Sequence, residues 1–520
     1  MEFHEENGED KSSEREFFRE EVKHDIEVVE IWEVRDCLKN LKIGKARGPD
    51  RIVSEQLKFG GTTLWKWVSL LVKGCFSHAL VLEETLESWV LPIVKDRKGN
   101  LENSNNYRGI SVSSVWSKIF DLLILKKLQN RYETNGCQFG FKKGVSTNMA
   151  VQSVVEMGNI YCKKGGSLFC AFVDITKAFD KLKYDQIWMK LDKMKAGSNV
   201  CKMIKDTYMK QKMRVSWDGE FSDFFQVYKG VRQGSPLSPF LFAMVIDEVV
   251  DLIRDMKEGC EIAGVKINII VYADDILVLG PTRYAIKKIL ENLIKELTNR
   301  GLSVNKEKTV AMEFNREKRK GEHTPMQIAG SNIKWVKEVK YLGIMLQRDF
   351  NWEGHLKGIV SKMNKLGNMV LQQVGKFVEQ KDRVYLLDSC ALDLYGVEFC
   401  REVNKKVVHS AAVSYHWLIK RCMGENNFFG NHAVCAESGL LTWEMKCLWR
   451  EFILWKNISN SSNEIMKILF GENKWETALG ESVLRTLMHF GREVRSAKEL
   501  RCNMLLHVEA VAILKEMEEN

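Results

Sequence analysis

The most informative segment of the chain is Ile267-Asn268-Ile269-Ile270-Val271-Tyr272-Ala273-Asp274-Asp275-Ile276-Leu277-Val278-Leu279. Apolar, strand-forming runs flank the tetrapeptide that begins at Tyr272, and this pattern predicts the two strands of a β-hairpin. A tight hairpin turn normally takes Asn-Gly, Asp-Gly or Gly-Gly, because primed turns need positive φ angles. Two aspartates at the tip depart from that rule, and such departures are concentrated at functional sites.

The adjacent carboxylates of Asp274 and Asp275 repel each other, which disfavours their joint ionisation. A hard divalent cation that seeks oxygen ligands would neutralise them, and Mg²⁺ is such an ion. An aspartate pair after an apolar run also occurs in plain structural turns. The tetrapeptide alone therefore leaves both interpretations open.

A second acidic motif, Phe172-Val173-Asp174-Ile175-Thr176-Lys177-Ala178-Phe179-Asp180, follows an apolar run that starts at Leu168. The run predicts a strand that is buried on both faces and ends at Asp174. A carboxylate at that strand's end could join the hairpin tip to hold two cations for in-line displacement at a phosphate. The alternative is that Asp174 caps the N-terminus of a helix after the strand.

Between the two acidic motifs lies a glycine- and proline-bearing loop, Gly230-Val231-Arg232-Gln233-Gly234-Ser235-Pro236-Leu237-Ser238-Pro239, followed by an amphipathic run from Phe240 to Ile253. A loop that opens a helix presents backbone N–H groups, and here a Gln side chain, to a nucleotide base or sugar. The alternative is a stiff loop with proline near the helix start.

In this order, the three motifs resemble motifs A, B and C of reverse transcriptases of the non-LTR retrotransposon (LINE-like) type. Further blocks resemble other motifs of that family, and the resemblance covers residues 40–350. These blocks are Lys45–Ile52, Asn106–Ser111, Gln138–Thr147, Gly301–Thr309 (motif D) and Tyr341–Ile344 (motif E, the primer grip).

The chain also departs from the family's pattern. The family usually has Arg where Lys142 stands, often a basic residue at Val145, and commonly Pro and Gly at Arg47 and Arg51. Lys does not bind phosphate in the bidentate manner of Arg, which would weaken a triphosphate contact at Lys142. An upstream endonuclease and a downstream Cys/His knuckle are not visible, so a fragment or a decaying copy is expected.

The resemblance implies an α+β right-hand polymerase with fingers, a ferredoxin-like palm, a helical thumb and a helical C-terminal extension. The expected boundaries are a charged, disordered lead at 1–25, fingers at 26–170, a palm at 171–345, a thumb at 346–430 and the extension at 431–520. All six prolines lie at or before Pro325. The absence of a proline breaker after that point favours a largely helical remainder.

The resemblance also assigns roles to individual residues. Asp174 and Asp274 would hold two Mg²⁺ ions, or Mn²⁺ in their place, with the Ile175 carbonyl and Asp275 assisting. Lys308 would protonate the departing pyrophosphate. Contacts to nucleotide, template and primer would come from Arg108, Lys142, Gln233, Gly234 and the primer-grip residues Tyr341, Leu342 and Gly343. The expected partners are an RNA template, a DNA primer or target, and deoxynucleoside triphosphates.

Phe179 follows Asp174 by five residues, so the turn after the strand would carry its ring beside the incoming sugar as a gate against the 2′-hydroxyl. The alternative is a core aromatic residue. For the whole chain, two alternative functions remain: a catalytically idle RNA-binding remnant, and an intron-encoded maturase-like reverse transcriptase. His355, near Trp352, is interpreted as a satisfied surface or core residue and not as a nucleic-acid contact.

Composition agrees with a polymerase that handles a polyanion. Across 520 residues, 78 Lys and Arg against 69 Asp and Glu give a net charge of +9. The basic residues cluster, and three clusters around a polymerase-like core favour a template and primer track over separate solvated helix faces. These clusters are Lys190, Lys193, Lys195, Lys202, Lys205, Lys210, Lys212 and Arg214; Arg316–Lys320; and Lys357, Lys362 and Lys365.

Cysteine and hydropathy patterns bear on the compartment. The 13 cysteines include no Cys-x-x-Cys pair or zinc spacing, which favours a reducing environment. No apolar run approaches ~20 residues, and the N-terminus lacks the features of a signal peptide. An intracellular protein, in nucleus or cytoplasm, is therefore expected, without secretion and without a membrane partner.

Overall fold

The computed structural model describes residues 29–315, 324–328, 330–374, 378–401, 403–425, 428–471, 477, 479–484 and 504. Three predicted features lie wholly or partly outside the described residues. These are the charged lead at 1–25, the basic run Arg316–Lys320, and the predicted C-terminal extension, of which only residue 504 is described beyond residue 484.

Helices occur along the whole described chain. They are α1 (Ile31–Lys39), α2 (Ser54–Lys58), α3 (Gly61–His78), α4 (Val115–Arg131), α5 (Thr147–Lys163), α6 (Ala178–Lys181), α7 (Tyr184–Lys193), α8 (Ser198–Lys210), α9 (Ser238–Arg254), α10 (Arg283–Asn299), α11 (Glu353–Val374), α12 (Gln380–Cys390), α13 (Lys405–Met423), α14 (Asn431–Ser438), α15 (Trp443–Ser459) and α16 (Glu464–Phe470).

Strands lie in the first two thirds of the chain. They are β1 (Glu87–Val94), β2 (Tyr107–Ser113), β3 (Leu168–Asp174), β4 (Lys212–Trp217), β5 (Glu220–Phe221), β6 (Phe225–Gln226), β7 (Glu261–Ile262), β8 (Val265–Lys266), β9 (Ile269–Tyr272), β10 (Asp275–Gly280), β11 (Val310–Phe314), β12 (Met326–Ile328), β13 (Ser331–Trp335), β14 (Glu338–Tyr341) and β15 (Ile344–Gln347). The fold is therefore mixed helix and sheet.

The chain forms two compact units that alternate along the sequence. Unit 1 comprises residues 1–135, 175–251 and 294–304, and unit 2 comprises residues 136–174, 252–293 and 305–520. In unit 1, strands β2, β1, β4 and β5 form a sheet in that order, with β6 also paired to β4. Helix α1 packs on α3 and α4 in the same unit.

Unit 2 is built on a six-stranded sheet with the order β12-β13-β11-β3-β10-β9. Strand β3 lies in its interior, antiparallel to both β10 and β11. Its residues from Leu168 to Val173 are all buried. The apolar run thus forms the predicted strand buried on both faces, and α5 packs against it.

Helices α11 to α16 follow the sheet in unit 2. Helix α11 packs on α12 and α13, and both α15 and α16 pack on α5. Within the described part of the chain, the expectation of a helical remainder after Pro325 is correct between Glu353 and Phe470, but residues 326–347 contain β12 to β15. The absence of proline permits a helix without excluding a strand, and pairing partners in the tertiary structure decided this segment.

Apolar residues recur at helical spacing between Arg283 and Arg300, which predicts an amphipathic helix that ends at Gly301, and α10 forms there. All six apolar positions are buried, namely Ile286, Ile289, Leu290, Leu293, Ile294 and Leu297. Gly301 ends the helix with a φ of +75°. The Leu302 N–H then donates to the Leu297 carbonyl at 2.9 Å, in the manner of a glycine-terminated helix.

Candidate active site

The two acidic motifs meet at one end of the unit 2 sheet. Asp275 is the register partner of Asp174 across β10 and β3, and of Tyr272 across β10 and β9. Directly opposed residues of an antiparallel pair project from the same face of a sheet. The carboxylates of Asp174 and Asp275 therefore leave the sheet side by side, and Asp274 lies in the turn that precedes β10.

The sequence suggests that Asp274 and Asp275 carry the strained conformation of the hairpin turn, but the strained residue is Ala273. Ala273 adopts the positive φ of +58°, so the hairpin is formed with the unusual conformation on alanine and not on the aspartate pair. A non-glycine residue in this region is strained and needs support from its surroundings.

Support comes from the segment Gln138–Gly140, which lies behind the hairpin in unit 2. The Phe139 N–H donates to the Val271 carbonyl at 2.7 Å, and the Val271 N–H donates to the Cys137 carbonyl at 2.9 Å. The Gln138 Oε1 accepts from the N–H groups of Gly140 at 3.1 Å and Ala273 at 3.4 Å. A Cβ on Gly140 would lie 2.4 Å from the Ala273 nitrogen, so only glycine fits there.

The three carboxylates interact electrostatically. The pKa of the Asp275 carboxyl is raised to about 6, first by partial burial and then by the charges of Asp274 and Asp174. Asp275 as a residue is nevertheless exposed, so water reaches this end of the sheet. The site concentrates negative charge where a cation could approach.

Asp174 is held by its backbone and keeps its side chain accessible. Its carbonyl accepts from the Asn305 N–H at 2.8 Å, and its N–H donates to the Thr309 Oγ1 at 3.5 Å. Lys177 occupies the N-cap position of the helix that follows, so Asp174 is not the cap of that helix. The Lys308 Nζ lies 4.0 Å from the Asp174 Oδ2, with the lysine side chain 70% exposed.

The predicted primer-grip residues form a second hairpin in unit 2. Strands β14 and β15 are joined by Leu342 and Gly343, whose φ angles are +47° and +84°. The Tyr395 hydroxyl donates to the Leu342 carbonyl at 2.9 Å. The ring of Tyr341 packs against Phe172 of β3 at 5.4 Å, and its buried hydroxyl has no hydrogen-bond partner within the described part of the chain.

In unit 1, the loop from Gly230 to Pro239 packs against the turn that contains Phe179 and Asp180. The Val231 N–H donates to the Phe179 carbonyl at 2.7 Å, and the Gln233 Nε2 donates to the Asp180 Oδ1 at 2.6 Å. Gly234 has a φ of +126°, and a Cβ there would lie 2.5 Å from the Ser111 carbonyl oxygen. Gln233 and Gly234 are thus fixed beside β2.

The Phe179 side chain is half-buried and stacks on Phe242, with ring centroids 4.8 Å apart. The other predicted nucleotide contacts are accessible: Arg108 is exposed on β2 of unit 1, and Lys142 is half-buried in unit 2. Ile175 is buried in unit 1 and forms an isolated β-bridge with Val304.

A buried ionic network anchors the same loop in unit 1. Arg232 is 3% exposed and donates to the Ser117 Oγ at 3.0 Å and to the Asp121 Oδ1 at 3.4 Å. The Ser235 hydroxyl donates to the Asp121 Oδ2 at 2.7 Å. Burial raises the pKa of the Asp121 carboxyl, while the Arg232 guanidinium opposes that rise.

The network at Asp121 was not expected from the sequence. Asp121 lies in the middle of α4, 111 residues from Arg232, and no local pattern marks it. The supporting roles of Gln138 and Gly140 were likewise missed, although both lie in a block that resembles a family motif.

Some members of the first basic cluster are paired with acids. Lys190 and Lys193 lie 3.6 and 3.0 Å from the Glu248 Oε1, and Lys210 lies 3.2 Å from Asp206. Lys202 and Lys212 are accessible in unit 1, and Lys357, Lys362 and Lys365 are exposed on α11 of unit 2.

Among the residues that the structure describes, no group of three or more His, Cys, Asp or Glu side chains is arranged to hold a metal ion. No helix in the described ranges is long and apolar enough to cross a membrane. The donor chemistry at the sheet end is nonetheless that of a hard cation site, because it consists of carboxylate oxygens.

Comparison with known proteins identifies a domain in this chain. Residues 95–346 match the family model for reverse transcriptase (RNA-dependent DNA polymerase). These residues therefore form a reverse transcriptase domain, as the motif order predicts.

Similar proteins come from retrotransposable elements. The chain is 24% identical over 315 residues to a Pol polyprotein of element R2DM of Drosophila melanogaster, covering 58% of this chain and 29% of that protein. It is 26% identical over 330 residues to the R2 counterpart of Nasonia vitripennis, covering 61% and 30%. It is 22% identical over 398 residues to the RNA-directed DNA polymerase of mobile element jockey of Drosophila funebris, covering 72% and 42%.

The chain thus spans less than half the length of these relatives. Among solved structures, it is similar to telomerase from Candida albicans in complex with a fragment of telomeric RNA, with a TM-score of 0.38 and 11% identity. That alignment covers 84% of this chain and 68% of the other.

Proposed function

We propose that the chain is an RNA-directed DNA polymerase of a non-LTR retrotransposon-like element, extending a DNA primer along an RNA template with deoxynucleoside triphosphates. The observation that carries the proposal is the register pairing of Asp174 with Asp275, beside Asp274, inside a reverse transcriptase domain. The expected compartment is intracellular, in nucleus or cytoplasm.

In this proposal the chain has the parts of a right-hand polymerase, with fingers at 26–170, a palm at 171–345, a thumb at 346–430 and a C-terminal extension from 431. The order β11-β3-β10-β9 in unit 2 supports a ferredoxin-like palm, since a βαββαβ arrangement gives neighbouring antiparallel strands that are not consecutive in sequence.

Asp174 and Asp274 would hold two Mg²⁺ ions, or Mn²⁺, with Asp275 and the Ile175 carbonyl assisting. The ions, when bound, would stabilise charge on the attacking and leaving oxygens of the reacting phosphate. The carboxylates fit this task because they are anionic oxygen donors, closely spaced and accessible to water at the sheet end.

The chain's other residues would position the reactants and move a proton. Lys308 would donate its ammonium proton to the departing pyrophosphate, and the exposure of its side chain gives it the freedom to do so. Gln233 and Gly234 would contact the nascent base pair from a loop fixed by Asp180 and Ser111. Arg108 and Lys142 would bind the triphosphate or template, and Tyr341, Leu342 and Gly343 the primer.

The test is primer extension on poly(rA)/oligo(dT) with Mg²⁺. Asp174→Asn and Asp274→Asn should abolish extension and leave RNA binding largely unchanged, because affinity for a polyanion comes from distributed Lys and Arg. Glu291→Gln is the matched control, since Glu291 pairs with Lys287 on α10 at 3.8 Å and the change removes one carboxylate charge outside the site.

Full activity in either aspartate variant would refute the catalytic assignment. Loss of RNA binding in step with activity would indicate a folding defect instead. A wild-type chain that binds RNA without extending a primer would be the idle remnant.

A further inference from the structure

The segment from Gly136 to Gly144 is held on two sides within unit 2. On one side it supports the β9–β10 hairpin. The Phe139 N–H donates to the Val271 carbonyl, and Gly140 lies close to Ala273. On its other side lie the turn before α16 and the first residues of that helix. These residues belong to the C-terminal extension, for which the sequence suggests no role.

Asn463 is the central contact. It is 3% exposed, and its Nδ2 donates to the Gly136 carbonyl at 2.7 Å. Its Oδ1 accepts from the Met466 N–H at 3.1 Å, so the same side chain caps α16. A Cβ on Gly136 would lie 3.0 Å from the Glu464 carboxylate, which shows how closely the segment and the helix start approach.

The far end of the segment is also tied to the extension. The Ser461 hydroxyl donates to the Gly144 carbonyl at 3.4 Å. Beyond it, Asn148 at the start of α5 donates to the buried carboxylate of Glu398, and Arg450 of α15 donates to the other oxygen of Glu398 at 3.5 Å. Hydrogen bonds from Ser461 and Asn463 therefore fix this segment at both ends.

We propose that the extension is part of the active site's support, and that Asn463 is a positioning residue that holds Gly136–Gly144, and through it the Ala273–Asp274 turn, in place. The inference rests on the proposed polymerase function for its kinetic consequence. Its structural basis is independent of that function, because the strained Ala273 conformation requires a fixed neighbour.

The dual role of Asn463 allows the two effects to be separated. Asp and Ser cap helices about as well as Asn does, so Asn463→Asp and Asn463→Ser keep the α16 cap and lose the amide donor to Gly136. Asn463→Ala loses both functions. Asn404 is the matched control, because its Oδ1 caps α13 by accepting from the Lys406 N–H at 2.9 Å. Asn404→Ser makes the same chemical change at another cap in unit 2.

We expect Asn463→Ser and Asn463→Asp to lower kcat about tenfold and to raise the Mg²⁺ concentration for half-maximal extension, with a smaller loss of Tm in Asn463→Ser than in Asn463→Ala. Amide hydrogen exchange should accelerate in residues 136–146 and 268–276. Asn463→Ala should show the same kinetic loss with a lower Tm, and Asn404→Ser should leave kcat, the Mg²⁺ requirement and exchange in both segments unchanged.

Hydrogen exchange distinguishes failure of this inference from failure of the proposed function. If wild-type protein extends primers and Asn463→Ser retains its kcat and its exchange protection, the positioning role is wrong. If wild-type protein is inactive, the polymerase proposal fails. Faster exchange at 136–146 and 268–276 in Asn463→Ser would then still support the positioning contact, and unchanged exchange would overturn it.

Discussion

Replacing Asp121 by asparagine should destabilise unit 1 strongly, because Arg232 would keep its charge in a buried site. Arg232 is 3% exposed and Asp121 4% exposed, so water cannot compensate the guanidinium. Removing one partner of a buried ion pair costs about 3–5 kcal/mol. We expect about 3 kcal/mol for Asp121→Asn, the low end of that range, since an amide oxygen still accepts a hydrogen bond from Arg232.

The matched control is the Glu87–Arg214 pair of the same unit. Its atoms lie 3.0 Å apart, closer than the 3.4 Å of Arg232 and Asp121, but the side chains of Arg214 and Glu87 are 27% and 32% exposed. Partly exposed pairs contribute about 0–1 kcal/mol, so Glu87→Gln should cost less than about 1 kcal/mol. The shorter pair should thus be the weaker one, because burial and not distance decides the cost.

Urea unfolding followed by tryptophan fluorescence measures both changes as shifts of the transition midpoint. The double variant Asp121→Leu/Arg232→Met should recover most of the stability, because it removes both charges together. The prediction is wrong if Asp121→Asn and Glu87→Gln shift the urea midpoint by the same small amount. It is also wrong if the double variant is no more stable than Asp121→Asn.

Three further predictions follow from other parts of the molecule. If Phe179 is a sugar gate, Phe179→Val should raise ribonucleotide incorporation relative to deoxynucleotide incorporation. If Phe179 is a core residue, the substitution should cost ~2–4 kcal/mol of stability and leave sugar selectivity unchanged. Insertion kinetics with dATP and ATP, together with a melting curve, decide between the two. Mutating Lys202, Lys205 and Lys212 together should weaken the salt dependence of primer-template affinity. The slope of log affinity against log salt concentration should fall by ~0.9 for each duplex phosphate that the protein no longer neutralises. An unchanged slope would assign these lysines to a solvated face. Burial lowers the pKa of His355 from 6.5 to about 4 in the folded chain, so its contribution to stability is complete above pH 6.5 and disappears as the pH falls toward 4. His355→Gln should therefore flatten the pH dependence of unfolding in that window, and a slope equal to that of wild type would contradict the assignment.

Local sequence patterns are sufficient to predict several strands and one helix of this protein. The apolar run before Asp174 predicts β3, the flanks of the aspartate pair predict β9 and β10, and the spacing along residues 283–300 predicts α10 with its buried face. These predictions are correct because continuous apolar runs and helical periodicity are properties of neighbouring residues. The order of short motifs, each weak alone, also predicts the reverse transcriptase domain.

The pairing, register and long-range contacts of these elements become clear only from the folded structure. The pairing of Asp174 with Asp275 depends on the register of two strands a hundred residues apart, and the strained φ falls on Ala273 because Gly140 and Gln138 support it there. His355 is buried, and its Nδ1 accepts from the Met345 N–H at 3.3 Å, so the core setting is the correct one of the two that the sequence allowed. The bond from Asn463 to Gly136 joins residues 327 apart. Local sequence patterns do not predict such contacts. The free energy that stabilises them comes from packing and hydrogen bonding between segments that are distant in sequence and come together only on folding.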